Sequence, residues 1–327
     1  MDCRSTTCGG PARSRRLAGK GRGCAGWHHG EILQGLYRSA PGGPAVPCLV
    51  TLPVPDAGSV AHFTPECGQP ITVRPECKLK AARAARLTLD ALGDHSTGGA
   101  LELECPVPEG LGLGSSTSDV VATIRAVCAA RGAQLDPARL ASLAVAAELA
   151  CDPIMLDGVA LFAQREGRVL EHWGQWMPQY LLLSVDTDPG RGGVDTLSIP
   201  LPHGHELAAE YDMLIARARA AFRLREAIAI GQVATRSAEL NQQMLPMREF
   251  EALRAMSAAD GCLGLQISHS GTVAGLLFDR ATRSQALEPL VARVRALGMA
   301  PLGIFATGPQ AFVCTVRQSR VSVELTM

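Results

Sequence analysis

Apolar residues recur along this chain with two periods, and the change from one period to the other marks the predicted elements. Apolar and polar residues alternate over residues 101–105, and apolar residues return at helical spacing over residues 120–130. Alternation is typical of a strand with one buried face, whereas helical spacing is typical of an amphipathic helix. Since a glycine-rich segment separates the two, the sequence predicts a strand, a tight loop and a helix in that order.

The same two patterns predict the other elements. Asp136 and Pro137 form a helix start, because aspartate caps a first turn and proline fits the first helical position. Predicted helices cover residues 78–92, 138–150, 206–225, 226–241, 247–259 and 281–297. Predicted strands cover residues 49–52, 71–74, 159–162, 168–172, 180–185, 300–305 and 311–316, with a turn at 55–58 and a strand-turn-strand unit at 263–278. This mixture predicts an α+β fold.

Residues 1–23 show neither period. Six basic residues stand there among glycine, serine and threonine: Arg4, Arg13, Arg15, Arg16, Lys20 and Arg22. Such a composition buries too little apolar surface to fold, so we predict a disordered basic tail. Steering of phosphates or binding of RNA is the alternative role for this segment.

Composition narrows the class of partner. The chain of 327 residues is 47% hydrophobic, and its 31 Lys and Arg balance its 31 Asp and Glu. Neutrality argues against a nucleic-acid or membrane partner, and no apolar run approaches the ~20 residues of a membrane span. Eleven scattered cysteines without a Cys-x-x-Cys pair favour reduced thiols and a cytoplasmic location. Only three lysines occur, so we expect arginine to supply any cation in a binding cleft.

The glycine-rich segment has the chemistry of a phosphate-binding loop. Gly110, Gly112 and Gly114 allow positive φ angles and a close approach of the backbone to a ligand. Ser115 and Ser116 can cap the helix that follows, whose free N–H groups favour an anion. The segment is neither a Walker loop nor a Gly-x-Gly-x-x-Gly loop, and a plain connection without ligand stays open.

A family resemblance sharpens this interpretation. Pro108, Gly112, Leu113, Gly114 and the serine pair resemble the Pro-x-x-x-Gly-Leu-Gly-Ser-Ser signature of the GHMP small-molecule kinases. The resemblance implies two lobes, a ribosomal protein S5-like N-terminal lobe over residues 24–190 and a ferredoxin-like C-terminal lobe over 191–327. It also implies ATP and Mg²⁺ as cofactors. The residues that it places on the nucleotide are Pro108, Gly110, Gly112, Leu113, Gly114, Ser115, Ser116 and Thr117.

A second motif lies near the N-terminus. Gly30, Glu31, Gln34 and Gly35 resemble the Gly-Glu-x-x-Gln-Gly element of the L-threonine kinase branch of that family. The resemblance implies that His29, Glu31 and Gln34 bind substrate. Neighbouring histidines point apart on a strand and rarely share a metal, so we expect no metal on the His28-His29 pair. A surface turn for the pair stays open.

Two acidic residues are candidates for catalysis. Phosphoryl transfer to an alcohol needs one carboxylate to orient the hydroxyl and a second acidic group to hold magnesium. The Asp152-Pro153 step resembles a diverged form of the branch's Glu-Pro-Thr-Asp element, which implies Asp152 and Ser116 as catalytic residues and Ser115 and Glu148 as metal ligands. Glu148 stands one residue from the family position, about 100° around a helix, so it serves only if the helix end is distorted. A simple turn at Asp152 stays open.

A third motif lies between the strands of residues 263–278. His269, Ser270, Gly271 and Thr272 resemble the family element that closes over phosphate or substrate, which implies substrate binding. A ligand-free turn explains the same residues, so that alternative stays open.

Together these motifs predict an ATP-dependent kinase of a small hydroxylated substrate, with the hydroxyl of L-threonine or a similar amino acid preferred by resemblance. A kinase of another hydroxylated metabolite and a catalytically weak nucleotide-binding regulator are the alternatives. The predicted partners are ATP and the small substrate, without nucleic acid or membrane, and a homodimer is a candidate assembly.

Overall fold

The computed structural model describes residues 19–309, apart from 41–42, 107–109, 192, 200–204, 259–260 and 271. Two predicted site residues, Pro108 and Gly271, lie outside the described residues. So do the first 18 residues of the predicted tail and the predicted strand 311–316.

The described strands form one mixed sheet. The strands are β1 (Gly21–Arg38), β2 (Ala45–Cys67), β3 (Ile71–Arg74), β4 (Thr97–Glu104), β5 (Val159–Ala163), β6 (Arg168–Gly174), β7 (Tyr180–Asp186), β8 (Cys262–Ile267), β9 (Val273–Asp279) and β10 (Ala300–Ala306). Their order is β10-β7-β9-β8-β1-β2-β4-β3, and the hairpin of β5 and β6 joins at β2. The predicted hairpin at 159–172 is thereby confirmed.

The described helices follow the predicted spacing closely. They are α1 (Leu79–Ala91), α2 (Ser115–Ala130), α3 (Pro137–Glu148), α4 (His205–Leu224), α5 (Ala227–Asn241), α6 (Phe250–Ser257) and α7 (Glu288–Ala296). The side chain of Asp136 accepts a hydrogen bond from the Arg139 N–H at 2.9 Å, as the helix start predicted. Apolar faces of α1, α2 and α3 pack into one core cluster with β2 and β4.

The predicted turn at residues 55–58 is wrong, because β2 continues through it. Gly26 pairs with Gly58 while the next residue, Trp27, pairs with Val54, so β2 carries the extra residues as a bulge. A bulge absorbs residues that would otherwise form a turn and bends the strand locally. The Pro-Asp-Ala-Gly signal therefore marks an irregular strand and not its end.

The predicted tail also ends too late. Gly21 and Gly23 belong to β1, and a Cβ on either would lie about 2 Å from a backbone oxygen of α2, at Ala126 and Ala122 respectively. Glycine is required there because β1 and α2 approach too closely for any side chain. The sequence pattern could not distinguish packing glycines from linker glycines.

The last four strands have the topology of a ferredoxin-like domain. Strand β7, helices α4 to α6, the β8-β9 hairpin, α7 and β10 succeed one another, and the antiparallel strand order is β10-β7-β9-β8. This confirms the ferredoxin-like C-terminal lobe. However, β7 is its first strand, so the lobe begins before residue 180 and not at the predicted boundary of 191.

Two further observations concern the environment of the chain. None of the described helices combines the length and apolar character that crossing a membrane requires. The expectation of reduced thiols agrees with Cys48, Cys67, Cys77, Cys128, Cys151 and Cys262, which are free. It is wrong for Cys24, which is disulfide-bonded. The cytoplasmic location and the homodimer stay predictions.

Candidate active site

The glycine-rich loop joins β4 to α2 as the sequence predicted. Gly110, Gly112 and Gly114 all have positive φ, between 71° and 78°. Gly114 is the N-cap residue of α2, and no side chain caps the helix. Ser115 and Ser116 are therefore first-turn residues, which corrects their predicted capping role. Their hydroxyls are left to face a ligand at the positive end of the helix.

A buried carboxylate stands beside this first turn. Glu148 accepts hydrogen bonds from the Ser116 and Thr117 hydroxyls, each at 2.7 Å. Helix α3 ends at Glu148, because Leu149 adopts a left-handed conformation with φ of 73°. Glu148 reaches the loop as the last residue of the helix itself, so the distortion that the sequence required lies after Glu148 and not before it. Burial raises the pKa of Glu148 to about 7, although both hydroxyls favour the charged form.

The donor set at this point suits magnesium. Ser116 and Glu148 offer a hydroxyl and a carboxylate oxygen, and Mg²⁺ prefers oxygen ligands. We had expected Ser115 as the ligand, but the hydroxyl next to Glu148 belongs to Ser116. Ser115 stays a candidate for phosphate contact, since it lines the cleft directly in front of α2.

The cation at the loop is a lysine, which corrects the expectation of arginine. Lys80 Nζ lies 3.3 Å from the Ser116 hydroxyl and 3.9 Å from a carboxylate oxygen of Glu148. It comes from the start of α1, which faces the loop across the cleft. A flexible ammonium in this position can follow phosphate oxygens as their charge changes.

Asp152 lies on the opposite side of Thr117 from the helix start. Its Oδ2 atom is 3.2 Å from the Thr117 hydroxyl and 3.0 Å from His28 Nε2. The Thr117 hydroxyl thus lies between the carboxyl groups of Glu148 and Asp152, and its single proton is donated to one of them at a time. Burial alone would raise the pKa of Asp152, but the positive charge of His28 and the hydrogen bond from Thr117 hold it below its usual value. Asp152 is therefore a carboxylate at neutral pH.

His28 is a site residue that the sequence interpretation missed. Burial would lower its pKa, but the carboxylates of Asp152 and Glu31 outweigh burial and raise the pKa to about 9. Its ring Nδ1 faces the carbonyl oxygen of Gly30 at 3.2 Å. Strand alternation could have found it, since only one of two adjacent residues on β1 can face the cleft.

His29 is the residue that faces away, so its predicted role in substrate binding is wrong. Its ring nitrogens lie 2.7 Å from Gln266 Oε1 and 2.6 Å from the Ser184 hydroxyl, inside the sheet. The side chain is fully buried, and burial lowers its pKa to about 4. His29 links β1 to β7 and β8 and does not line the cleft.

This buried neutral histidine makes stability depend on pH. The unfolded chain takes up the proton below pH 6.5, whereas the folded chain resists it down to about pH 4. The contribution of His29 is thus complete above pH 6.5 and is lost as the pH falls toward 4, with about 2 kcal/mol lost by pH 5.

Urea unfolding at pH 7, 6 and 5 checks this expectation in wild type and His29→Gln. We expect the variant to be less stable at pH 7 but to lose less stability on acidification. Glu31 and Glu148 titrate in both proteins and cancel in the comparison. Parallel pH profiles for the two proteins would contradict the assignment.

The other predicted substrate residues divide into two groups. Glu31, His269 and Ser270 line the cleft, and Gln34 lies behind His269, with its Oε1 atom 2.9 Å from the His269 ring. Thr272 does not belong to this group, which corrects its prediction. Its hydroxyl donates to Asp186, inside the C-terminal lobe.

Two cavities meet at the loop. One, of about 550 Å³, contains the acceptor-side residues His28, Glu31, Asp152, His269 and Ser270. The other, of about 420 Å³, lies between the loop and the start of α1. Gly110, Ser115, Ser116 and Lys80 line both cavities. A phosphate group at the loop would therefore stand between two separate binding spaces.

Gly114 allows two features of the site: the left-handed turn of the loop and the close approach of the His28 ring to the backbone. A Cβ at Gly114 would lie 2.3 Å from the His28 ring, and φ of 71° strains any other residue. We expect Gly114→Ala to lower the free energy of unfolding by about 2–4 kcal/mol. Gly132→Ala is the matched control, since Gly132 has φ of 61° but open space around it.

The control should lose only about 1 kcal/mol, the cost of the backbone conformation. Urea unfolding of both variants measures the difference. Equal losses would show that His28 yields freely and that Gly114 is needed for its φ alone.

Comparison with known proteins agrees with this geometry. Residues 80–156, from α1 to just beyond Asp152, match the family of the GHMP kinases N terminal domain. The chain is 30% identical over 186 residues to an L-threonine kinase of Citrobacter freundii, over 55% of this chain and 62% of that protein. A second L-threonine kinase, of Salmonella typhimurium, is 26% identical over 189 residues, which are 55% of this chain and 60% of that protein. The matches thus span less than two thirds of these relatives.

The fold extends the likeness along nearly all of the chain. The crystal structure of homoserine kinase from Cytophaga hutchinsonii superposes with a TM-score of 0.66, over 93% of this chain and 99% of that one, at 16% identity. At this identity the superposition carries information about fold alone. This chain has the fold of that homoserine kinase, and its residues 80–156 match the GHMP kinases N terminal domain.

Proposed function

We propose that the chain is an ATP-dependent kinase that phosphorylates the hydroxyl group of a small hydroxy amino acid. The observation that carries the proposal is the pair of carboxyl groups on either side of the Thr117 hydroxyl. Glu148 stands at the phosphate loop and Asp152 stands on the acceptor side, 3.2 Å from the same threonine hydroxyl. Phosphoryl transfer needs these two acidic functions on either side of the transferred group.

The two cavities divide the substrates. We assign the nucleotide to the cavity between the loop and α1, where Lys80 supplies positive charge and Lys78 is paired with Asp119. The loop N–H groups and Lys80 would hold the phosphates, and Ser116 with Glu148 would hold Mg²⁺. Bound Mg²⁺ would neutralise part of the negative charge of the ATP phosphates. The acceptor then occupies the larger cavity in front of Asp152.

Residues of the chain position the acceptor hydroxyl and accept its proton. His28 and Thr117 both contact Oδ2 of Asp152, and we assign Oδ1 to the acceptor hydroxyl. The hydroxyl oxygen attacks the γ-phosphorus, its proton passes to Asp152, and the bond to the β-phosphate oxygen breaks to release ADP. Because Asp152 is held as a carboxylate by His28, it is ready to accept that proton at neutral pH.

The acceptor class rests on similarity together with the site. The relatives matched in sequence are named L-threonine kinases, and the superposed structure is a homoserine kinase. Both names describe amino acids with a free hydroxyl. The residues that line the acceptor cavity of this chain include Glu31, His269 and Ser270, and such polar residues suit a small polar substrate.

The test is Mg²⁺-dependent ADP release with L-threonine, L-serine, L-homoserine and no acceptor. O-methyl-L-threonine is the matched control, since it keeps the amino acid but lacks the hydroxyl. We expect at least tenfold stimulation by one hydroxy amino acid, none by the methyl ether, and a phosphomonoester detected by phosphorus NMR. ATP binding without acceptor-dependent ADP release would contradict the proposal and favour the nucleotide-binding regulator. Stimulation only by another hydroxylated metabolite would overturn the acceptor class.

A further inference from the structure

We infer that His28, Glu31 and Asp152 form a binding site for a divalent transition-metal ion, separate from the magnesium position at Ser116 and Glu148. One ligand atom from each of the three side chains can be chosen so that all lie within 4.8 Å of one another. An ion between them would need only small side-chain movements, because ligand atoms around one metal ion stand about 3–4 Å apart.

Two of the three side chains, those of Glu31 and His28, have buried polar atoms without a hydrogen bond. Both carboxylate oxygens of Glu31 and the Nε2 atom of His28 are buried and make no hydrogen bond among the described residues. Glu31 is 1% exposed. Buried carboxylates are normally satisfied, because leaving one unpaired costs much of its hydration energy. The His28 ring lies 3.8 Å from Oε1 of Glu31, beyond hydrogen-bond distance, so the Glu31 oxygens keep the capacity to bind a ligand from outside the chain.

The contact between His28 and Asp152 has the form of two ligands of one ion. Nε2 of His28 lies 3.0 Å from Oδ2 of Asp152 as a close ion pair. The other ring nitrogen, Nδ1, faces the Gly30 carbonyl oxygen at 3.2 Å. Metal-bound histidines commonly donate their second N–H to a backbone carbonyl, which fixes the ring and directs the free nitrogen toward the metal.

The size of the space favours an ion over an organic group. Neither oxygen of Glu31 is accessible to water, and a substrate ammonium group is as large as water. A metal ion is much smaller and can reach the three atoms from the side of Asp152, whose side chain is 19% exposed. One imidazole with two carboxylates suits Zn²⁺, Co²⁺ or Mn²⁺, whereas Mg²⁺ prefers an all-oxygen set.

The ion would lie on the acceptor side of the cleft. His28 lies between the carboxyl groups of Asp152 and Glu31, with ring nitrogens 3.0 Å from Oδ2 of Asp152 and 3.8 Å from Oε1 of Glu31. An ion bound to Oδ2 of Asp152 would stand next to the acceptor hydroxyl, a placement that rests on the proposed function. The metal site itself does not depend on kinase activity, so it can be tested without ATP.

Cobalt binding provides the test. The full-length protein is freed of metal with a chelator and titrated with Co²⁺ in the absence of ATP, while visible absorption is recorded. We expect one Co²⁺ per chain, displaced by Zn²⁺ but not by a hundredfold excess of Mg²⁺. His28→Gln and Glu31→Gln should each weaken binding at least tenfold.

Two control variants locate the ion. Glu148→Gln should leave Co²⁺ affinity within about twofold, and His95→Gln should do the same at the exposed pair of His95 and Asp90. X-ray absorption of the zinc-loaded wild type should show one imidazole among oxygen ligands at about 2.0–2.1 Å. This last measurement does not depend on the folding of any variant.

The site is refuted if Co²⁺ does not bind, if it binds equally to the wild type and both site variants, or if only Glu148→Gln abolishes it. Absorption data without an imidazole ligand refute it as well. Activity of the metal-free protein with Mg²⁺ and ATP, measured in parallel, reports on the kinase proposal alone. Failure of one proposal can thus be separated from failure of the other.

Discussion

Replacing Asp152 with asparagine is expected to lower kcat by about 10²–10⁴, the usual contribution of a general base. Asparagine keeps the shape of the side chain but cannot take the acceptor proton, and it removes the negative charge that faces His28. KM for ATP should change less than threefold, because the phosphate loop is untouched. Initial rates at saturating ATP and acceptor measure the effect.

Asp157→Asn is the matched control for this experiment. Asp157 is an exposed aspartate five residues away, outside the residues that line the cleft. Its variant should retain wild-type kcat within about twofold. If Asp152→Asn turned over at the wild-type rate while folded, as judged by circular dichroism, Asp152 would be only a structural partner of His28 and the assigned mechanism would be wrong.

Replacing Glu148 with glutamine is the second variant with a large expected effect. The neutral amide keeps hydrogen bonds to Ser116 and Thr117 but loses the charge that would hold Mg²⁺. We expect kcat/KM for ATP to fall by about 10²–10³, comparable to other losses of electrostatic stabilisation at a reacting centre. The Mg²⁺ concentration needed for half-maximal rate should rise in parallel.

The Glu148→Gln substitution should lower activity without lowering the stability of the fold. Burial raises the pKa of Glu148 to about 7, so a neutral group at this position costs the fold little. We expect the melting temperature of Glu148→Gln to stay the same or rise. The control is Glu166→Gln, an exposed glutamate paired with Arg168, which should leave the rate and its Mg²⁺ dependence unchanged. A normal Mg²⁺ dependence in Glu148→Gln would place the metal elsewhere.

Local signals predicted most of the elements in this chain. The helix start at Asp136, the hairpin around Gly167 and the loop before α2 each depend on residues close in sequence, so propensity and spacing suffice to find them. The errors occurred where distant residues decide the local structure. The turn predicted at 55–58 became a bulge because β1 pairs along its whole length, and Gly21 became part of a strand because α2 packs on it.

The prediction of site residues also succeeded where local signals suffice and failed where distant residues decide. Ser116 and Glu148 are 32 residues apart, and the sequence could name both as candidates by their chemistry. It could not place them together, because that depends on how α3 packs beside α2. The roles of His28 and His29 were exchanged, since the side of β1 that faces the cleft is set by its neighbours in the sheet.

The sequence by itself determined the phosphate-type loop, the order of helices and strands, and the resemblance to the GHMP kinases, because each of these is written in contiguous residues. Only the tertiary structure decided the pairing of His28 with Asp152, the position of Thr117 between two carboxyl groups and the burial of Glu31 without a hydrogen bond. These contacts join residues that are far apart in the sequence, and His28 and Asp152 are separated by 124 positions. Their charges and pKa values arise from burial and proximity, which no local pattern encodes.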